Sequence, residues 1–145
     1  MAGQWPNILN FLLYLTVSVP LLGLGILLFM ATTPYKENRL MADGAELGDR
    51  RKVLAAQAAA YALGGKILGL SLVMASAIYH SVGLLDLVVW GLLGAVFQVV
   101  VFYLFELITP FTVLKEIPQG NLAVGIFSAF VSVATGLLMA ALISY

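Results

Sequence analysis

VLAAQAAAYALGGKILGLSLVMASAIY, Val53 to Tyr79, decides the fold. Its one charge is Lys66, and no other charge falls between Val53 and Leu85. Crossing a bilayer as a helix takes about 20 apolar residues, so this segment is long enough to span. A positive charge inside such a segment costs ~2.5–3.5 kcal/mol on insertion scales, and it needs a partner, a cavity or a function. The stretch LGGKILG, Leu63 to Gly69, therefore poses both the fold question and the functional one.

The rest of the chain follows the same rule. Of 145 residues, 62% are apolar and 10% charged, with a mean hydropathy of +1.05. A soluble domain carries roughly a quarter charged residues, so lipid is the expected solvent for most of this surface. Net charge is zero and cysteine is absent, leaving no polybasic nucleic-acid face, no disulfides, no thiolate metal site and no lipidation on Cys. The first apolar run lacks a basic leader and is long enough to cross, so it is read as a span rather than a cleaved signal.

Four segments meet the spanning requirement: about Ile8 to Ala31, Val53 to Tyr79, Leu84 to Ile108 and Asn121 to Ile143. The first stops at Pro34 and the third at Thr109-Pro110, while His80 to Gly83 turns the chain between the second and third. The expectation is an all-α, polytopic membrane protein forming one membrane domain over residues 1–145. Lys36, Arg39, Arg50, Arg51 and Lys52 crowd the first loop (about 34–52), and Lys115 lies in the third. By the positive-inside rule both loops face the cytoplasm and both termini lie outside. The basic loop reads as an orientation signal and solvated linker, or as a docking surface for a cytoplasmic partner.

The halves of the chain resemble each other. TTPYKE (Thr32 to Glu37) and ITPFTV (Ile108 to Val113) both place Thr-Pro-aromatic just after a span, with Pro34 matching Pro110. ILGL (Ile67 to Leu70) and ATGLL (Ala134 to Leu138) share Gly-Leu within the following span, with Gly69 matching Gly136. The longer first loop absorbs the difference between the two offsets. Two tandem two-helix repeats follow, about 8–79 and 84–143, entering the membrane in the same sense and related by an axis along its normal.

Helical spacing puts Lys66 among small residues: Ala55, Ala59, Ala62 and Gly69 fall within about 60° of it. Gly65 and Gly69 bracket it as GxxxG, a pattern that lets helix backbones approach closely in membranes. In span three, Gln98 shares a face with Gly91, Gly94 and Ala95; in span four, Asn121, Gly125, Ser128, Ser132 and Thr135 form a ridge, with Gly136 beside it. Counted along straight helices, Lys66 lies about 20 Å from Val53 and Gln98 about 15 Å deep, so Lys66, Gln98 and Ser132 are expected to meet near the midplane. Snorkelling from there looks difficult, and no carboxylate is expected at that depth. Lys66 is then either neutral and hydrogen-bonded or charged against a wet cavity, a lipid head group or a solute.

The pathway or binding candidates are Lys66, Gln98, Ser132, Ser128, Asn121 and Asp86. Each has a plainer reading: a lysine closing a seam, a glutamine as packing glue, hydroxyls bonded to their own helix, and Asp86 as a first-turn acid favoured by the helix dipole. Glu106 is expected to be hydrated, and His80 lacks a spaced partner for a metal. There is no HExxH, no phosphate-binding Gly loop and no nucleophile with a base, so neither an enzyme nor a cofactor is expected.

The run LLDLVVWGLLGAVFQVVVF (Leu84 to Phe102) has the D-x3-W-G-x6-Q-x3-F spacing of YjfL-type proteins, the domain of unknown function 350. EIPQGNLAVGIFSAFVSVATGLL (Glu116 to Leu138) is similar to that family's second signature. The resemblance covers the whole chain and implies a bacterial inner-membrane protein in which Asp86, Trp90, Gly91, Gln98 and Asn121 match the family pattern. It also implies a partner among membrane-stress proteins, because relatives tend to be encoded near such components. The chain departs at RRKVLAAQ (Arg50 to Gln57), where the family usually has an Asn, and at Lys66, where relatives more commonly carry a small or apolar residue.

Two functions fit. One is an oligomeric pathway for an ion or small solute, with the polar seams lining it. The other is a structural or regulatory membrane component whose seams oligomerise and whose basic loop recruits a cytoplasmic partner or anionic lipid.

Overall fold

The computed structural model describes residues 4–45 and 48–144, so residues 46 and 47 of the basic loop lie outside the described residues. Among the described residues the chain is all helix: α1 (Trp5–Thr32), α2 (Glu37–Asp43), α3 (Arg50–His80), α4 (Leu84–Ile108), α5 (Val113–Glu116) and α6 (Leu122–Ile143). α1, α3, α4 and α6 are each long and apolar enough to cross a membrane. Local chemistry sets their ends. A proline sits in the first turn of α1, where the missing N–H costs nothing. Asp49 caps α3 through the Arg51 and Lys52 amides, and Asn121 caps α6 through the Val124 amide. The first loop, in which the sequence shows no element, contains the two-turn helix α2. α3 begins at Arg50, before the apolar run that opens at Val53.

α3 and α6 form the centre and run in the same direction. A Cβ on Gly125 would strike the Ala58 backbone, one on Gly65 the Ala129 backbone, and one on Gly136 the Gly69 backbone. Further along, the Ser76 hydroxyl donates to the Ala140 carbonyl at 2.6 Å. One partner at each of these three glycine crossings lacks a side chain, so the backbones themselves meet. α1 lies along α4, also in parallel, with Leu21 packed on Gly91 and the Tyr103 hydroxyl donating to the Thr32 carbonyl at 2.5 Å. Half of the apolar window of α3 is buried against 11% of that of α1, so α3 is the hub and α1 the outer helix.

The halves match in hydrogen bonding. The Thr33 and Thr109 hydroxyls donate to the Phe29 and Phe105 carbonyls. Lys36 and Thr112 each accept two amides as they open α2 and α5. All of these pairs share the offset that carries Pro34 onto Pro110. The Ala58–Gly125 and Gly69–Gly136 contacts share the second offset, so these two pairs join counterpart residues, whereas Gly65–Ala129 and Ser76–Ala140 fall about one turn off it. The end of the bundle carrying α2 and α5 is here the loop end; the other, carrying the 81–83 turn and the start of α1, is the terminal end.

Candidate functional site

Lys66 is 4% exposed, on the α3 face that also buries Ala55, Ala59, Ala62 and Gly69. It does not meet Gln98 and Ser132 at the midplane. Its Nζ donates to Thr33 Oγ1 at 3.2 Å and lies 4.1 Å from the centroid of the Phe102 ring, a cation–π distance. Thr33 Oγ1 is held as the acceptor, because its own proton goes to the Phe29 carbonyl at 2.7 Å.

Lys66, Gln98 and Ser132 lie at nearly one level, because Gln98 Nε2 and the Ser132 carbonyl both sit against Gly69, one turn along α3 from Lys66; the lysine stem turns the other way. From Arg50 to Lys66 the helix rises about 24 Å, yet the lysine tip touches the residue that caps α1. A lysine stem on a helix leans towards the N-terminus, here the loop end, so its ammonium reaches the residue that caps α1 while staying buried.

The same place supplies a carboxylate, which the sequence analysis does not expect. Glu37 opens α2, is 1% exposed, and its negative charge is felt at Lys66. Neither Glu37 oxygen has a hydrogen-bond partner. Glu106 is half-buried rather than hydrated: Oε1 accepts the Leu114 amide at 3.5 Å, and Oε2 is buried without a partner. It follows Phe102 by one turn on the same face of α4. Tyr35 packs in one apolar cluster with Phe102, Ala62, Val113 and Ile117, its hydroxyl buried and unpartnered. Burial pushes the Tyr35 phenol well up, and Glu37, Glu106 and Tyr103 push it further. It therefore remains a neutral donor.

The other candidates disperse. Gln98 Nε2 and the Ser132 carbonyl lie against Gly69, one turn from Lys66 towards the terminal end, and that Nε2 is buried without a partner. Ser128 Oγ is likewise an orphan, whereas Thr135 donates to the Val131 carbonyl at 2.8 Å on its own helix. Asn121 sits at the loop end, donating to Glu116 Oε2 at 2.8 Å besides its capping role. Asp86 accepts the Val82 amide at 3.3 Å in the terminal-end turn. The packing glycines Gly65, Gly69, Gly91, Gly94, Gly125 and Gly136 are all buried, and each has a neighbour where a Cβ would go. Of the basic loop, Arg39 lies 3.9 Å from Asp43, and Arg50, Arg51 and Lys52 stay exposed at the start of α3. Among the described residues no three His, Cys, Asp or Glu side chains group to hold a metal.

Sequence reasoning misses Glu37, Thr33, Tyr35 and Phe102 as neighbours of Lys66. A signal is present in the two internal offsets, which align Glu37 with Val113 and Lys66 with Val133. Both charges lack a counterpart in the second half.

Comparison with known proteins comes to the same class. The family described as Domain of Unknown Function (DUF350) matches residues 4–143. UPF0719 transmembrane protein YshE of Bacillus subtilis (strain 168) is 32% identical over 143 residues, covering 97% of this chain and 98% of the relative. No solved structure matches.

Proposed function

This chain belongs to the DUF350 family, and from that premise we propose that it is a non-enzymatic subunit of a homo-oligomeric pathway for a small ion. The supporting observation is the buried Lys66 and Glu37, which act on each other through space, with half-buried Glu106 one turn from the Phe102 ring that carries the ammonium. Ionisable groups in membrane helices are expensive to retain, and they mark pathways more often than packing. On this reading the bundle is two tandem repeats in a bacterial inner membrane. The basic loop end faces the cytoplasm and both termini lie outside, as the distribution of lysine and arginine favours.

A route through the middle of one chain has little support. The Gly69–Gly136 contact closes the α3–α6 seam, and Gln98 fills the space beside it. The pathway therefore runs between subunits.

One observation favours a second, regulatory reading. Arg50, Arg51 and Lys52 are exposed together on the first turn of α3, a patch suited to anionic lipid or to a cytoplasmic membrane-stress partner. Flux in proteoliposomes separates the two. The pathway reading expects wild-type vesicles to pass Na⁺, K⁺, protons or an anion, and Lys66→Met to change that flux. Absence of flux for all four in the wild type sinks it and leaves the regulatory reading.

A further inference from the structure

Four side-chain oxygens at the loop end are buried without a hydrogen-bond partner: Tyr35 Oη, both oxygens of Glu37 and Glu106 Oε2. Buried polar atoms in folded proteins are almost always partnered, by protein, water or a ligand. These four converge on one place. Glu37 opens α2 just after the bend that follows Thr33, whose hydroxyl holds Lys66 Nζ, and its charge acts on both Lys66 and Tyr35. Glu106 lies one turn beyond Phe102, whose ring carries the same ammonium. Tyr35 packs against Phe102 and feels both carboxylates.

We infer that Glu37, Glu106 and Tyr35 form an oxygen-lined site for one alkali-metal cation, with the Lys66 ammonium as a tethered charge that opposes its occupancy. This names the ion of the pathway proposed above and rests on that reading, although binding is measurable without flux.

Charge and donor type select the ligand. Among the buried groups alone, two carboxylates face one ammonium, a balance that suits a monovalent cation; the Lys36 and Arg39 side chains stand exposed outside it. The donors are all hard oxygens, which suit Na⁺ or K⁺, and the cluster lacks the nitrogen and sulfur ligands that zinc or copper prefer. A recess of about 270 Å³ opens beside Glu37, lined also by Met30, Lys36, Asn38 and Arg39. The two cationic side chains at this entrance penalise a divalent ion more than a monovalent one, although Arg39 is partly engaged by Asp43.

The internal offsets supply a separate observation. Val113 is buried at the position matching Glu37, whereas Val133, at the position matching Lys66, is half-buried and faces an open groove, so both charges belong to the first half alone.

The test is thermal unfolding of the full chain in detergent, in NaCl, KCl or choline chloride at equal ionic strength. Na⁺ or K⁺ should raise the melting temperature saturably above choline, and the arm with the lower half-saturation identifies the preferred ion. Glu37→Gln should abolish the ion-specific rise. Lys66→Met should keep it and lower the half-saturating concentration by about tenfold, the effect of removing one unit charge several ångströms away in a partly screened site. Should Glu37→Gln fail to fold, line broadening of the sodium-23 resonance by the wild type, relieved by Glu106→Gln, reports the same site. Identical melting of the wild type in all three salts overturns the site, and so does an undiminished ion-specific rise in Glu37→Gln. Unchanged half-saturation in Lys66→Met overturns the opposing role of the lysine. Flux without saturable binding would sink this site and spare the pathway; saturable binding without flux would do the reverse.

Discussion

At Lys66 the deciding quantity is charge. The ammonium has a hydroxyl and an aromatic face in contact, but its charge is balanced only through space, by Glu37. Removing it strands buried carboxylates, and breaking a direct buried pair costs ~3–5 kcal/mol. Here no direct bond closes, so Lys66→Met should cost less, on the order of 1–3 kcal/mol in unfolding free energy measured in choline chloride. The double change Glu37→Val with Lys66→Val copies the second half and should recover much of that loss. The coupling in the double-mutant cycle should be ~1–2 kcal/mol. Strict additivity would show that the two side chains do not act on each other.

At the scale of the helix, the α3–α6 crossing depends on missing side chains. A Cβ on Gly136 would meet the Gly69 backbone, which cannot yield as a side chain can. Gly136→Val should therefore cost about 2–3 kcal/mol by overpacking, read from unfolding in a mixed detergent titration. Gly64 faces the other way with nothing within 4 Å, and Gly64→Ala should be neutral or gain ~0.5–1 kcal/mol from helix propensity. Asn121→Ala removes the α6 cap and should cost ~1 kcal/mol in the same titration. If Gly64→Ala and Gly136→Val behave alike, the crossing is not where the contacts place it.

The spans and their glycine seams are legible in the sequence because a long apolar run and a small-residue stripe are local patterns. The long-range register between helices is not. Gln98 and Ser132 do come within a turn of Lys66, at Gly69, but the lysine tip reaches Thr33 at the end of α1, and where α1 ends beside α3 is a long-range fact. α2 is invisible for a related reason: the short stretch ENRLMAD carries no sustained apolar period. Glu37 belongs to that helix, so the carboxylate nearest the buried lysine goes with it. Thr33 and Tyr35 stand in plain view in TTPYKE, but as marks of repetition rather than as walls of a site.

For the whole molecule, several local features recur between the halves while the charges do not. α2 and α5 open on matching residues, and the Thr33 bond recurs at Thr109. α3 meets α6 at two counterpart pairs, Ala58 with Gly125 and Gly69 with Gly136. Against that background, Glu37 and Lys66 in one half and Val113 and Val133 in the other form a built-in control. The central claim is that this charged corner serves ion passage. It is tested most directly by Na⁺ and K⁺ flux into proteoliposomes holding either the wild type or the Glu37→Val, Lys66→Val double variant, matched for melting temperature. The account predicts flux in the wild type and its loss in the folded double variant. Equal flux in the two, or none in the wild type, would contradict it.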